Sequence, residues 1–438
     1  MWYQRNYENK MYTYKDSRFY VQDFTLSRKV KKVAILLDGA IEIPPTCGLI
    51  YRLFHLSVAL GEEGVNIVWI IRNRNFLKKD DFKRLKNYNI RMHVLPDQLF
   101  YNIEYITQII KKESVEIVQF EVTQDCLYFS SKIKKQLNIP VVLEVHESDY
   151  LLRNSINGRE NSSHFIDFIQ RAAIHSSDAV VCMTKSEQIY LNERSPDKFF
   201  LVPNGVEDSF PRLRNNNPEP VILFLGNLFY YPNRQAVVFL IEKILPLVMK
   251  KIKNVRLKVI GMLPHALRKE YADLENVEFT GEIKEMQEFY RALSSGYLGI
   301  CPILSGAGMK VKILNYAAGG FPIVTTPIGA MGYEELQGLS ICTESPGEIA
   351  QKVIELLSSE QLARNLGALL RESVMQKYSW KSLAERSISA YSFALNSVHA
   401  SLQEIKEVPP SLFFEEKRHM EKTFEQHVII EKEVDVII

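Results

Sequence analysis

Short apolar runs alternate with amphipathic stretches along most of the chain, and this alternation restricts its fold more than any other feature. The first half contains the runs VAILLD and VVLEVHE, and the second half contains VILFLG and LGICPI. Near-continuous Val, Ile and Leu runs are typical of parallel strands that are buried on both faces. The stretches between them carry apolar residues at helical spacing. The pattern therefore predicts an α/β protein with helices covering both faces of its sheets.

The polar segment PRLRNNNPEP, at residues 211–220, interrupts this alternation. A chain of 438 residues is also too long for one ordinary core. We therefore predict two similar βα domains in tandem, with a cleft between them where the carboxyl ends of parallel strands collect ligands. The predicted regions are an N-terminal extension at 1–28, Rossmann-like domains at 29–205 and 206–380, a helix at 381–400 and a tail at 401–438.

Composition excludes several classes of protein. The formal net charge of +2 argues against broad, non-specific nucleic-acid binding. Five scattered cysteines, an odd number without a CxxC pair, favour a reduced cytoplasmic setting. The N-terminus lacks the apolar core of a signal peptide, and no apolar run approaches the roughly 20 residues that span a bilayer. Peripheral contact with the inner face of a membrane is compatible with these features, and the oligomeric state stays open.

The loop after the first predicted strand carries no dinucleotide fingerprint. GxGxxG and GxxxxGK[ST] are both absent, which argues against an NAD oxidoreductase and a P-loop enzyme. Gly48 nevertheless lies just before a predicted helix, where a glycine lets the backbone approach an anion closely. The alternative is an ordinary βα loop.

A second small-residue turn, SGAGMKVK, follows the strand LGICPI and precedes a helix. Gly306 and Gly308 flank Ala307, so backbone amides there can face a ligand at the positive end of the helix. Lys310 and Lys312 would neutralise a diphosphate, including one that departs from a donor. The alternative is a glycine turn followed by two solvated lysines.

His146 ends the apolar run in EVHESDY, at the carboxyl end of a predicted strand. A histidine at this place can donate to a sugar hydroxyl or to a developing charge. The alternative is a structural histidine that is satisfied by its neighbours. HExxH and clustered Cys and His residues are absent, so the sequence predicts no metal site.

Several stretches, taken together, resemble the GT-B glycosyltransferases of the large retaining family 4 type. FFLVPNGVEDSF, FTGEI, GAGMKVKILNYAAGGFPIVTT and SWKSLAERSISAY are similar to elements of that family, and they occur in the family's order. The resemblance covers roughly residues 31–395. It implies a GT-B fold: two Rossmann-like domains face a cleft, and a C-terminal helix crosses back to the first domain.

The resemblance also implies an activity, a retaining and metal-independent hexosyltransferase of the EC 2.4 class. The second domain would hold a nucleotide-sugar donor, and the first would admit a glycan, lipid-linked or small-molecule acceptor, without a separate cofactor. The catalytic positions that it implies are His146, Lys310 and Lys312. The donor-binding positions that it implies are Gly48, Gly281, Glu282, Ile283, Gly306, Ala307, Gly308 and Asn315.

The chain departs from the family at one functional element. Members commonly carry two glutamates in an E-x7-E pattern, and Ala307 and Asn315 stand at the matching positions. Asn315 can still bond a ribose hydroxyl, but it carries no charge. A non-catalytic GT-B protein that binds a sugar nucleotide or a protein partner is therefore the alternative to an active enzyme.

Overall fold

The computed structural model describes residues 29–39, 48–72, 85, 87–146, 162–191, 198–214, 219–283, 285–333 and 336–397. The predicted extension at 1–28 and tail at 401–438 lie outside these residues. Along the described residues, no helix combines the length and the apolar character that crossing a bilayer would require.

The first half of the chain forms a parallel sheet that, within the described residues, has seven strands in the order β3-β2-β1-β4-β5-β6-β7. The strands are β1 Lys32–Leu37, β2 Asn66–Arg72, β3 Ile90–Leu95, β4 Ile117–Phe120, β5 Val141–Val145, β6 Ala179–Cys182 and β7 Phe199–Leu201. The helices are α1 Gly48–Glu62, α2 Asp97–Phe100, α3 Ile103–Lys112, α4 Thr123–Leu137, α5 Ser162–Ser176 and α6 Lys185–Leu191. The parallel sheet and its covering helices confirm the predicted fold class.

The second half forms another parallel sheet, with six strands among the described residues in the order β10-β9-β8-β11-β12-β13. The strands are β8 Val221–Leu225, β9 Arg256–Ile260, β10 Val277–Gly281, β11 Leu298–Cys301, β12 Ile323–Thr325 and β13 Ser340–Ile341. The helices are α7 Tyr231–Phe239, α8 Leu245–Met249, α9 His265–Glu270, α10 Met286–Ser294, α11 Val311–Gly319, α12 Pro346–Ser358 and α13 Glu360–Lys377. A π-helical turn at Leu240–Ile244 joins α7 to α8.

The strands at the centre of each sheet are buried, and most of their side chains are apolar. All five residues of β5 and of β8 are buried, and so are all four of β4 and β11. Since both faces of these sheets are covered by helices, the strands do not need the polar and apolar alternation of a one-sided sheet. The sequence pattern and the layer arrangement therefore have the same physical origin.

The last described helix, α14 Trp380–Ser397, crosses back to the first domain. Its buried residues Trp380, Leu383 and Tyr391 join the hydrophobic cluster that contains β1, β2 and α1. The outgoing and returning segments run side by side, because the amide of Val206 donates to the carbonyl of Tyr378 over 2.8 Å. The predicted crossover helix is confirmed, and the two domains share a double connection.

Helix α4 ends at Leu137, three residues before Pro140. Asn138 takes a left-handed conformation with φ 52°, and its amide donates to the carbonyl of Lys134. Asparagine tolerates this conformation better than most residues, so it ends the helix before the proline does.

Candidate functional site: two facing crevices at the sheet edges

The order of strands in the second sheet reverses between β8 and β11, which are neighbours although they are distant in sequence. The loops that leave these strands diverge and leave a crevice at the carboxyl edge, where open α/β sheets bind ligands. Helix α7 starts on one side of this crevice and α11 on the other. Neither helix has a side-chain cap at its N-terminus. The positive ends of two helix dipoles therefore point to one crevice, an arrangement suited to an anion.

The turn before α11 depends on its glycines. Gly306 has φ +117° and Gly308 has φ +69°, values that side-chain-bearing residues rarely adopt. A Cβ atom at Gly306 would lie 3.6 Å from the hydroxyl of Tyr230, which belongs to the loop across the crevice. The Nζ atom of Lys310 donates to the carbonyls of Ala307 and Gly308 over 2.7 and 2.8 Å. These two hydrogen bonds of Lys310 therefore stabilise the conformation of the turn.

Lys312 lies at the base of the same crevice. Its side chain is only 8% exposed, and Nζ donates to Oδ1 of Asn233 over 2.7 Å. The ammonium also lies 3.9 Å from the centre of the Phe224 ring, within the range of a cation–π contact. Burial lowers the pKa of Lys312 to about 8, and the charge of Lys310 acts in the same direction. Both lysines are buried, so the alternative of two solvated lysines is wrong.

The partners of Lys312 differ from those of another buried lysine in the chain. Lys134, on the first domain, is paired with the buried carboxylate of Asp178 at 2.7 Å. Within the described residues, no ion pair includes Lys312, whose recorded partners are an amide oxygen and an aromatic ring. A buried charge without a counter-ion is costly. The arrangement is therefore stabilised when an anionic ligand supplies the missing charge.

The first sheet has its own reversal, between β1 and β4, and a polar network lies at the carboxyl ends of β4 and β5. Nε2 of His146 lies 2.8 Å from Oε2 of Glu121. Glu144 forms an ion pair with the buried guanidinium of Arg52. Nε2 of Gln119 donates to both carboxylates, over 2.7 Å to Glu121 and 2.8 Å to Glu144. His146 is thus the most exposed member of a network that is otherwise buried.

Arg52 ties this network to the segment that leaves the first domain. Its Nη1 and Nη2 atoms donate to the carbonyls of Pro203 and Val202 over 2.5 and 2.8 Å. The guanidinium is almost fully buried, and its hydrogen bonds run to one carboxylate and two carbonyls. Arg52 therefore couples the end of β5 to the start of the domain connection.

The ligand atoms of Glu121, Glu144 and His146 all lie within 4.8 Å of one another, as they would around a metal ion. However, each of the four carboxylate oxygens already has a donor from Arg52, Gln119 or His146. An ion would have to displace these donors, and the positive charge of Arg52 would repel it. The donor set suits a hydrogen-bonded network better than a metal centre.

The two carboxyl edges face each other. Met183, just after β6, belongs to the hydrophobic cluster of the second domain. The Sδ atom of Met309, on the glycine turn, lies 3.4 Å from the backbone nitrogen of Asn204. A Cβ atom at Gly332 would meet both Met309 and Thr184 of the first domain. The glycine turn of the second domain therefore lies opposite the edge that carries His146.

Two family models match the chain and together cover well over half of it. The model described as Glycosyltransferase Family 4 matches residues 48–210, and the model described as Glycosyl transferases group 1 matches residues 219–359. The chain belongs to the group 1 glycosyltransferases. The first range begins after β1 and includes the other strands of the first sheet, and the second range includes the whole second sheet, so each half of this glycosyltransferase matches its own family model.

Solved structures share the fold. Sucrose-phosphate synthase from Thermosynechococcus elongatus has a TM-score of 0.64 at 16% identity, over 82% of this chain and 98% of that chain. Anabaena HepE, in a complex with UDP and glucose, has a TM-score of 0.59 at 13% identity, over 82% and 98% of the two chains. These likenesses confirm the GT-B fold that the sequence predicted for this glycosyltransferase.

Curated relatives are closer in sequence but are themselves uncharacterised. A glycosyltransferase from Methanocaldococcus jannaschii is 25% identical over 345 residues, which are 72% of this chain and 89% of the relative. A protein of Klebsiella pneumoniae, described as a 44.6 kDa protein in the cps region, is 28% identical over 119 residues, 25% of this chain and 30% of the relative. The first of these relatives is named a glycosyltransferase, and neither name states a substrate.

The predicted donor-binding residues of this glycosyltransferase fall into two groups on the second sheet. The glycine turn and Asn315 belong to one group, because Asn315 follows Lys312 by one turn of α11 and is half-buried. The other group is the loop at Gly281, Glu282 and Ile283, which follows β10, the edge strand two positions from β8. Gly281 has φ +79°, and its carbonyl accepts from the amide of Gly261 over 3.1 Å. Both groups lie on the carboxyl edge of one sheet.

Gly48, the predicted first-domain glycine, is the first residue of α1. A Cβ atom added there would meet nothing within 4 Å, so packing within the described protein does not require a glycine. The loop at 40–47 that precedes it lies outside the described residues. A role for Gly48 toward a donor phosphate therefore stays a prediction.

Sequence reasoning missed Asn233, Glu121 and Arg52. Asn233 accepts the hydrogen bond of Lys312 and donates to the carbonyl of Asn227 over 2.9 Å. Glu121 follows a buried strand directly, as His146 does, and the shared sheet edge was the available signal. Arg52 lies in the middle of an apolar helix, and nothing in its sequence neighbourhood indicates its distant partner Glu144.

Proposed function

We propose that this glycosyltransferase moves a sugar from a nucleoside-diphosphate sugar to a hydroxyl acceptor, with the donor diphosphate held between the N-termini of α7 and α11. The buried ammonium of Lys312, which lacks an anionic partner among the described residues, carries the proposal. A diphosphate at this place would supply the counter-charge. Lys312 would then stabilise the negative charge that develops on the departing nucleoside diphosphate.

The glycine turn serves the same ligand. Positive φ at Gly306 and Gly308 leaves the turn without bulky side chains, so that backbone amides reach phosphate oxygens. Lys310 holds the shape of this turn through its bonds to Ala307 and Gly308, and its charge adds to the field. In place of the two family glutamates, Asn315 would bond a ribose hydroxyl and the amide of Ala307 would bond the sugar.

Similar structures support the choice of donor. The Anabaena neighbour contains UDP and glucose, and a trehalose-6-phosphate structure from Escherichia coli contains UDP-2-fluoro glucose. These proteins are 12–13% identical to this chain, so they support a sugar nucleotide in general and make UDP the first base to test. The loop at Gly281, Glu282 and Ile283 would hold the base.

The first domain would admit the acceptor beside His146. The transfer would be retaining and metal-independent, of the hexosyltransferase class, since lysines and helix amides supply the positive charge that a metal supplies elsewhere. A surface glycan or a small metabolite is the acceptor class to test first. We place the reaction in the cytoplasm, at the inner face of the membrane when the acceptor is lipid-linked.

The alternative is a non-catalytic protein that binds sugar nucleotides, and the buried Ala307 and neutral Asn315 favour it. A panel of UDP-, GDP-, TDP-, ADP- and CDP-sugars separates the two functions. Release of nucleoside diphosphate with formation of a glycosylated product supports transfer. Binding of a sugar nucleotide without any turnover, across donors and acceptors, would support the alternative.

Binding of nucleoside diphosphate should depend on pH through Lys312. Its pKa of about 8 in the free protein would rise again beside a bound diphosphate, so binding above pH 8 must take up a proton. The affinity should therefore fall by up to about tenfold per pH unit above pH 8, with uptake of about 0.7–0.8 proton at pH 8.5. The phosphate itself, with a pKa of about 6, keeps a constant charge in this range.

Calorimetry of UDP binding in two buffers of different ionisation enthalpy measures this proton uptake. Lys312→Arg is the matched control, because arginine stays charged and should bind UDP without taking up a proton. Equal proton uptake by the wild type and by Lys312→Arg would assign the effect to another group and contradict the role of Lys312.

A further inference from the structure

The hydrogen-bond network at the carboxyl ends of β4 and β5 fixes the orientation of His146. Tyr391, on the crossover helix α14, donates to Oε1 of Gln119 over 2.7 Å. Since that oxygen accepts from Tyr391, the NH₂ group of Gln119 faces the carboxylates of Glu121 and Glu144. The other oxygen of Glu121, Oε2, lies within hydrogen-bond distance of Nε2 of His146, at 2.8 Å. The network thus runs without a break from the crossover helix to the histidine.

Because Glu121 engages Nε2, the ring nitrogen left for a substrate is Nδ1. Within the described part of the chain, the hydrogen bond recorded for the ring of His146 is the one at Nε2. The carboxylate of Glu121 is almost fully buried, whereas the histidine side chain keeps 16% of its surface exposed. The accessible part of the network is therefore the imidazole.

Charge balance favours a proton on His146. Two buried carboxylates, Glu121 at the end of β4 and Glu144 on β5, act on it, as does the charge of Arg52 from α1. The hydroxyl of Tyr391 from α14 joins the same network through Gln119. Arg52 neutralises one carboxylate, and the second, Glu121, needs one proton, either on its own oxygen, where burial raises its pKa, or on the imidazole that it contacts. Burial and Arg52 lower the pKa of His146, but its bond to Glu121 and the two carboxylate charges outweigh them and raise it.

We propose that Glu121 is a positioning residue for glycosyl transfer: it holds His146 as an imidazolium whose Nδ1–H donates to a substrate oxygen. His146 then acts as a cationic hydrogen-bond donor and not as a base that removes the proton of the acceptor hydroxyl. This inference rests on the proposed function, and it assigns the chemical state of a group within that site. It also gives the crossover helix a part in the site, because Tyr391 sets the orientation of Gln119.

Nuclear magnetic resonance of the full chain, labelled with ¹⁵N in its histidines, tests the inference without an activity assay. The His146 signal is assigned by its loss in His146→Gln. We expect the imidazole to be doubly protonated near neutral pH and to titrate above about 6.5, the ordinary value. In Glu121→Gln the midpoint should fall by about one pH unit or more, because the opposing charge is lost.

Glu113→Gln is the matched control, since Glu113 contacts a different histidine, His93, at 3.0 Å. It should leave the His146 titration unchanged. A neutral His146 at pH 7 in the wild type, or the same midpoint in folded Glu121→Gln, would overturn the inference even if transfer activity is found. If Glu121→Gln does not fold, Tyr391→Phe keeps the carboxylate and removes only the bond to Gln119, and an unchanged imidazolium there supports Glu121 as its cause.

Activity supplies a second readout. The rate of transfer should fall at alkaline pH as His146 loses its proton. In Glu121→Gln this fall should occur at lower pH, and its shift in pH units should equal the shift of the His146 titration midpoint. A rate that rises as His146 loses its proton would identify a base and contradict the inference. Absence of transfer in every variant and in the wild type would count against the proposed function, while the titration alone still decides the state of His146.

Discussion

Lys312→Met should reduce kcat/KM for transfer from the preferred nucleotide sugar by about 10²–10³-fold, the usual cost of removing one charge-stabilising donor. Methionine has nearly the length of lysine and fills the space over the Phe224 ring without charge, so the packing is preserved. The affinity for nucleoside diphosphate should fall as well, because the ammonium at the base of the crevice is lost. Steady-state kinetics and calorimetry measure the two effects.

Lys352→Met provides the control of the same chemical change. Lys352 lies on α12 and pairs with Glu355 on the surface, so its loss should leave kcat/KM unchanged. Lys312→Arg should retain part of the activity because it retains the charge. Equal rates for wild type and folded Lys312→Met would remove Lys312 from the mechanism.

Arg52→Met should destabilise the first domain by about 3–5 kcal/mol, the cost of breaking a buried ion pair on one side. The substitution leaves the carboxylate of Glu144 buried without its cation and leaves the carbonyls of Val202 and Pro203 without their donor. Urea unfolding, followed through the buried indole of Trp69 on β2, reports on this domain. The midpoint should shift while the slope of the transition stays the same.

Arg91→Met tests whether burial is the cause. Arg91 also pairs with a carboxylate, Glu113, at 2.6 Å, but the Arg91 side chain is 67% exposed, and the buried Glu113 keeps His93 as a second partner at 3.0 Å. Its loss should cost no more than about 1 kcal/mol. Similar costs for the two substitutions would show that the buried network contributes no more than a surface ion pair does.

The layered fold could be predicted from the sequence because its cause is local. Strands that are buried on both faces are apolar at nearly every position. The run VILFL therefore predicts β8 even when the strands that pair with it are unknown. Elements whose stability comes from distant contacts were harder to predict. Strand β13 has two residues, Ser340 and Ile341, and its formation depends on pairing with β12.

The sequence indicated where the candidate residues lie in the fold, but it did not indicate their partners. The glycine turn and its lysines could be found because the residues that form the turn are consecutive in the sequence. Sequence alone treats Lys310 and Lys312 alike, whereas the structure separates them: Lys310 bonds its own turn, and Lys312 reaches Asn233 on another helix. The partner of His146 was also hidden, since Glu121 precedes it by 25 residues and meets it only through strand pairing.

A crystal structure of the protein with the nucleoside diphosphate that stabilises it most, chosen by thermal shift from UDP, GDP, TDP, ADP and CDP, tests the central claim most directly. We expect the diphosphate between the starts of α7 and α11, with phosphate oxygens within about 3 Å of Lys312 Nζ and of the amides at 306–308. A diphosphate bound elsewhere, or a glycine turn covered by protein in the complex, would contradict the account.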